Sequence, residues 1–165
     1  MTAPTRRQIL ATTSAGFAGV ALWGCRSGAA DAAERFEVTY SDAEWRRRLP
    51  ADAYKVLRHE DTERPFTSPF NKEHRAGVFA CRGCGLPLFG SRTKFDSGTG
   101  WPSFWAPLPN AVRTKTDRAL LMERTEVHCR RCGGHLGHVF DDGPKPTGKR
   151  YCMNGVAMTF RPARA

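Results

Sequence analysis

The 165-residue sequence predicts a mainly β domain, with short strands in one or two antiparallel sheets behind short N-terminal helices. Three observations carry this. Sixteen glycines and eleven prolines punctuate the chain, which favours turns and short strands over long helices. From Gly77 onward, apolar segments (VFAC, LPLF, FWAPL, ALLMERTEVHC, HLGHVF, RYCMNGVAMTF) alternate with those breakers. Helix signals gather in residues 41–60, SDAEWRRRLPADAYKVLRHE. The length suits one domain with a real core, and 40% hydrophobic with 25% charged residues is ordinary for a globular protein.

The N-terminus reads as an address. Residues 1–30 hold no acidic residue, and TRRQIL is followed by the weakly apolar ATTSAGFAGVALWG. Paired arginines before a modestly hydrophobic stretch resemble a twin-arginine export signal. The run Ile9–Gly24 is 16 residues long, short for a membrane span. LWGC at 22–25 has the form of a lipoprotein cleavage box with an unusual Trp23, and would leave a lipidated Cys25 as a membrane anchor. Ala30-Asp31-Ala32 is the alternative, an ordinary small-x-small cleavage site; a cytosolic protein with a disordered tail is the other reading. Residues 1–35 are therefore assigned to an export signal and disordered linker, and 36–165 to the folded domain. The expected location is the periplasm, or the outer side of the membrane by lipid anchoring.

The formal charge of +10 invites a nucleic-acid partner. Without residues 1–25 the chain keeps 24 basic and 16 acidic residues, an excess of +8. The positives are scattered, with RRR at 46–48 the only run of three. They describe a solvated surface, and no nucleic acid is expected.

Within the domain, Ser41 or Asp42 can cap a first helix, with Glu44 in its first turn. Pro50 ends it and can open a second. Residues 61–75 are polar and contain proline, which predicts a long ordered loop. No linker divides the chain after residue 36, and the only internal repeat is a pair of cysteine knuckles.

Those knuckles are FACRGCG at 79–85 and VHCRRCGG at 127–134. Two residues between cysteines let both sulfurs face one ion, and the glycine that follows frees the backbone for a tight turn. Cys81, Cys84, Cys129 and Cys132 thus compose a tetrahedral four-thiolate site suited to a structural zinc, with no open coordination position. The 44-residue gap between knuckles exceeds that of a compact zinc ribbon, so something folds between them. Two disulfides are the alternative, but a disulfide across C-x-x-C is strained and usually redox-active.

The remaining cysteine of the domain, Cys152, lies in GKRYCMNG. As a strand, this segment puts Arg150, Cys152 and Asn154 on one face and Tyr151 and Met153 on the other. A guanidinium beside the sulfur favours the nucleophilic thiolate. Upstream, HLGHVFDDGP holds His135 and His138 around Gly137. They can be metal ligands, an acid–base pair for Cys152, or histidines satisfied by surface contacts. With four cysteines already completing a metal site, acid–base or orienting work is preferred. In FDSGTGWPSFW at 95–105, Trp101 is placed to wall a pocket and Trp105 to pack in the core.

GTGWPSF, HCRRCGGHLGHVFDDGPKPTG and RYCMNG, with both knuckles in register, closely resemble the type B methionine-(R)-sulfoxide reductases (MsrB). The resemblance runs from about residue 38 to 162. It implies two antiparallel sheets, short N-terminal helices and a zinc site distant from catalysis. It implies that Cys152 attacks the sulfoxide sulfur, and that His135 and His138 bind the oxygen or its water and supply protons. Asn154 and Arg150 would position and polarise the site, Trp101 would pack on the substrate's ε-methyl group, and Asp142 would support the network. No organic cofactor is implied. The partners are oxidised proteins containing methionine sulfoxide and a thiol reductant; a monomer is expected.

The sequence departs from the family at one position. Many members carry a cysteine before GWPSF that attacks the sulfenic acid on the nucleophile; here that residue is Thr99. An external, thioredoxin-like thiol is therefore expected to resolve Cys152, with Cys25 or a knuckle cysteine as the alternatives. Two other function classes compete: a zinc-ribbon binding module for nucleic acid or protein, and a thiol-disulfide oxidoreductase using a C-x-x-C.

Overall fold

The computed structural model describes residues 34–118 and 122–164. The expected export segment, both candidate cleavage sites and Cys25 lie outside the described residues. Among the described residues, no helix is long and apolar enough to cross a membrane.

Two helices open the domain. Helix α1, Asp42–Arg48, starts in a capping box: Ser41 Oγ accepts from the Glu44 amide, and the Glu44 carboxylate accepts from the Ser41 amide. Helix α2, Ala51–His59, follows at once because Pro50 presets the backbone at its start. It buries Ala53, Tyr54, Val56 and Leu57, and packs on strand β7 (His135–Phe140). The loop that follows α2 contains a 3-10 turn, Pro69–Lys72, capped by Ser68.

Among the described residues, nine strands form two antiparallel sheets, as the resemblance implies. Strands β1 (Gly77–Cys81), β2 (Pro87–Gly90) and β9 (Met158–Pro162) make a three-stranded sheet in the order β2-β1-β9. The larger sheet has six strands in the order β3-β4-β8-β7-β6-β5. Its members are β3 (Lys94–Phe95), β4 (Ser103–Phe104), β5 (Val112–Asp117), β6 (Arg124–Cys129), β7 and β8 (Arg150–Met153). An aromatic core joins the sheets. Phe79 of β1 and Phe89 of β2 meet Phe104 of β4, with ring centroids 5.0 and 4.4 Å apart, and all three rings are fully buried. Burying each contributes roughly 2–3 kcal/mol.

Three segments differ from the sequence expectation. VRTKTD is strand β5, although almost no side chain on it is buried; it is an edge strand held by its ladder to β6. RYCMNGVAMTF is not one strand. β8 ends at Met153, and a 3-10 turn, Gly155–Ala157, carries the chain to β9 in the other sheet. Only Ser103 and Phe104 of the FWAPL region are strand, and Trp105 is half-buried, outside the hydrophobic core. Phe104 takes the core position that the alternation gives to only one of the two adjacent residues.

Candidate active site

The two knuckles are built alike. In the first, the Gly85 amide donates to the Cys81 carbonyl at 2.8 Å; in the second, the Gly133 amide donates to the Cys129 carbonyl at 2.9 Å. Both glycines adopt a left-handed backbone, φ 73° and 67°, which closes the turn after the second cysteine. The four sulfurs of Cys81, Cys84, Cys129 and Cys132 all lie within 4.8 Å of one another. Cys81–Cys132 and Cys84–Cys129 are 3.7 and 3.5 Å apart, and none is in a disulfide. A tetrahedron of sulfurs about 2.3 Å from a central ion has edges of about 3.8 Å, so this donor set fits a four-coordinate metal.

A second cluster crosses the large sheet. Strand register sets Ser103, Cys152, His138, Glu126 and Lys115 in one row across β4, β8, β7, β6 and β5. Because side chains alternate, the neighbouring row of Met153, Gly137 and Val127 faces the opposite way, into the core. Gly137 permits the close approach of β7 to β8, since a Cβ there would strike the Cys152 carbonyl. Leu136 has no partner on β6 and forms a bulge, which turns His135 to the His138 side. The two imidazole rings meet edge to face with centroids 5.4 Å apart.

Cys152, His138, Asn154 and Trp101 line one cavity of about 120 Å³. That volume admits the end of a side chain, not a drug-sized ligand. Thr62, Arg124, Gly137 and Phe140 complete its wall, and no knuckle cysteine takes part. Each predicted residue has a distinct place. Asn154 is braced: its side-chain amide donates to the Leu136 carbonyl at 3.1 Å, and its Oδ1 accepts from the Glu63 amide at 2.8 Å. The Trp101 indole N–H donates to the Glu63 carbonyl at 2.8 Å. Glu63 therefore fixes two walls through its backbone. Its carboxylate also accepts from the Gly155 amide at 2.6 Å, and burial raises its pKa despite that bond.

Arg150 and Asp142 stand outside the cavity wall. Arg150 makes two 2.8 Å hydrogen bonds to Asp142 and lies 4.3 Å over the Phe140 ring. The Asp142 bond raises the Arg150 pKa, and the nearby Cys152 sulfur adds to the rise. Asp142, largely exposed, is thus a holder of Arg150 rather than a wall residue.

His135 lies behind the wall, 2% exposed. Its Nδ1 bonds the buried Glu126 carboxylate at 2.8 Å, and its Nε2 has no hydrogen-bond partner among the described residues. Glu126 is also paired with Lys115 at 2.9 Å. Burial pushes the His135 pKa down to about 4. His138 Nε2 bonds Asp117 at 2.8 Å, and Asp117 is 2.6 Å from Arg124. Burial lowers the His138 pKa against the pull of Asp117. Each histidine therefore has a carboxylate that fixes its tautomer.

Sequence reading missed Arg124, Glu126, Asp117, Thr62 and Glu63. The first three were hidden by reading residues 119–129 as one strand without its partner. The β5–β6 hairpin sets Asp117 opposite Arg124 and turns Arg124, Glu126 and His128 to one face. Thr62 and Glu63 lie in a loop without periodicity. Thr99 Oγ1 lies 3.8 Å from Cys152 Sγ, at the end of a hydroxyl chain through Ser97 to Ser103 with 2.8 Å steps.

Residues 49–162 match the SelR domain. The chain is 52% identical over 127 residues to a peptide methionine sulfoxide reductase MsrB of Agrobacterium fabrum, covering 76% of this chain and 94% of that protein. It is 55% identical over 120 residues to one from Pseudomonas putida, covering 72% and 90%. It is 51% identical over 125 residues to one from Methanosarcina barkeri, covering 75% and 88%. With a SelR domain over most of its length and such relatives, the chain belongs to the peptide methionine sulfoxide reductase MsrB family.

Proposed function

We propose that this oxidoreductase reduces methionine-(R)-sulfoxide in oxidised proteins, with Cys152 as nucleophile. The observation that carries this is the register pair His138–Cys152 at the wall of a small cavity flanked by Trp101. Trp101 offers an apolar surface to the ε-methyl group, while Cys152 and His138 meet the sulfoxide. The Cys152 thiolate attacks the sulfoxide sulfur and its oxygen takes up protons, without which it is a poor leaving group. His138 is the imidazole closest to the reaction and relays protons from solvent to the sulfoxide oxygen, with His135 behind it. Asp117 and Glu126 hold the imidazoles, and Asn154 and Arg150 position the wall and the sulfur. The oxygen passes to Cys152, so the products are methionine and a Cys152 sulfenic acid. One thiol then displaces water to give a mixed disulfide, and a second thiol releases Cys152; the two thiols supply the two electrons.

The reductant is external in this proposal. Beside Cys152, the free cysteines among the described residues are the four of the cluster. The hydroxyl of Thr99 occupies the place next to the sulfur and cannot form a disulfide. A thioredoxin-like protein or another thiol fits. The four-cysteine cluster would hold a structural zinc that ties the ends of β1 and β6 together and supplies no chemistry to the cavity. The basic, acid-free N-terminal segment supports export and repair of proteins outside the cytoplasm, in the periplasm or from a Cys25 lipid anchor. A monomer is proposed.

Trapping tests the assignment. After one exposure to an R-sulfoxide peptide without thiol, dimedone should label Cys152 alone, as read by peptide mass. Label on a knuckle cysteine, or none on an enzyme that has produced methionine, would reject Cys152 as the nucleophile.

A further inference from the structure

The reductase reading explains the small cavity but not the surface beside it. Among the described residues, the large exposed apolar side chains are Tyr40, Phe66 and Met122. Tyr40 is covered on one side by Arg48 and packs edge to face on Trp45. Phe66 is 74% exposed, and its backbone is left-handed at φ 65°, a conformation bulky residues rarely adopt. The conformation is built in. The Phe66 amide donates to the Gly100 carbonyl at 2.7 Å, and the Asn71 side chain donates to the same oxygen at 2.9 Å. A Cβ on Gly100 would come within 2.8 Å of Pro65 and 2.9 Å of the Phe66 nitrogen, so the two loops are in contact there. The fold thus holds an aromatic ring out toward solvent by strained backbone, a pairing that points to function rather than stability.

Phe66 lines a groove of about 200 Å³ with Phe95, Pro102, Lys72, Lys94 and Trp101. Trp101 also lines the Cys152 cavity, so the two recesses share one wall. Charge does not dominate the groove: Lys94 donates to the Asn71 carbonyl at 3.0 Å, and Asp96 lies among the lining residues. A polypeptide that places its oxidised side chain against Trp101 from the cavity side brings its neighbouring residues to the groove side.

Resting on the reductase reading, we propose that the Phe66–Phe95 groove is a substrate subsite that takes an apolar side chain adjacent to the oxidised methionine. Phe66 is thereby a specificity-determining residue for protein substrates. A buried methionine exposed by damage has apolar neighbours more often than a surface one, so the subsite would favour damaged cores.

The test compares wild type, Phe66→Ala and Phe66→Tyr with dithiothreitol as reductant. The substrates are the R forms of N-acetyl-methionine sulfoxide and of two short peptides, with leucine or with serine flanking the sulfoxide. The subsite predicts that Phe66→Ala raises KM for the leucine peptide about 5- to 10-fold with kcat unchanged, on the scale of a partly buried ring. It leaves N-acetyl-methionine sulfoxide and the serine peptide within twofold, and Phe66→Tyr retains the wild-type preference. Equal losses on all three substrates would overturn it, since Phe66 would then only support Trp101. So would a defect seen with a thioredoxin-like protein and absent with dithiothreitol, which would assign the surface to the reductant. Wild type active on the small substrate but indifferent to the flanks would overturn the subsite alone. Wild type inert on all three would overturn the reductase reading and the subsite with it.

Discussion

Acidification should destabilise this domain through His135 in particular. The imidazole is 2% exposed, and burial pushes its pKa from 6.5 down to about 4. A depressed histidine pKa means that the unfolded chain binds a proton which the fold refuses. The contribution of His135 is thus fully present above the unfolded value, and it is lost as pH falls from about 6.5 toward 4. Between pH 7 and pH 5 the loss is about 2 kcal/mol for this one residue, taking one pKa unit as about 1.4 kcal/mol. His135→Gln removes the titration. Urea unfolding of both proteins at the two pH values measures the difference. With a urea slope of roughly 1–3 kcal/mol per molar, the wild-type midpoint should fall by about 1 M more than that of the variant. His128 and the cysteine cluster also respond to pH but are common to both proteins and cancel, and making the comparison in a His138→Gln background removes the coupled His138 titration. Equal pH responses, within about 0.5 kcal/mol, would refute the claim that His135 is held neutral.

The site and the cluster yield further expectations. Glu126→Gln releases the His135 Nδ1 proton from its carboxylate, and should lower kcat about 10-fold or more while KM stays within twofold; a change confined to KM would contradict an orienting role. Metal analysis should find one zinc per chain, and Cys84→Ser should abolish tight binding and lower the melting temperature; full stability without metal would contradict a structural site. Thr99→Cys places a thiol about 3.8 Å from Cys152, and one turnover should then end in a disulfide between positions 99 and 152; continued accumulation of sulfenic acid would show that the loop cannot reach.

How much of this was legible in the sequence followed the range of the interactions involved. The knuckles are local: two cysteines, two spacers and a left-handed glycine specify each turn, and only their meeting across 44 residues needed the fold. The Ser41–Glu44 capping box is local as well. The side of β8 that carries Cys152 followed from alternation, although the strand stops at Met153 and Asn154 reaches the cavity from the turn beyond it. What stayed hidden depends on distant partners. VRTKTD has no apolar face and becomes a strand only through its ladder with β6. Glu126 and Asp117 are ordinary acidic residues until the hairpin sets them beside His135 and His138. No alternation rule gives Phe104 the core place that the reading assigned to Trp105. The loop at Thr62 and Glu63 builds two walls by backbone bonds, which leave no mark in side-chain chemistry.

The central claim is that Cys152 takes oxygen from methionine-(R)-sulfoxide and that no internal thiol follows it. Single-turnover reduction of the two separated diastereomers of a methionine sulfoxide peptide, by the zinc-loaded chain and by Cys152→Ser, tests it most directly. The account predicts about one methionine per enzyme from the R form without added thiol, none from the S form, and none from the variant. A folded, zinc-loaded wild type that yields no methionine from the R form, or a Cys152→Ser variant that yields as much as wild type, would contradict it.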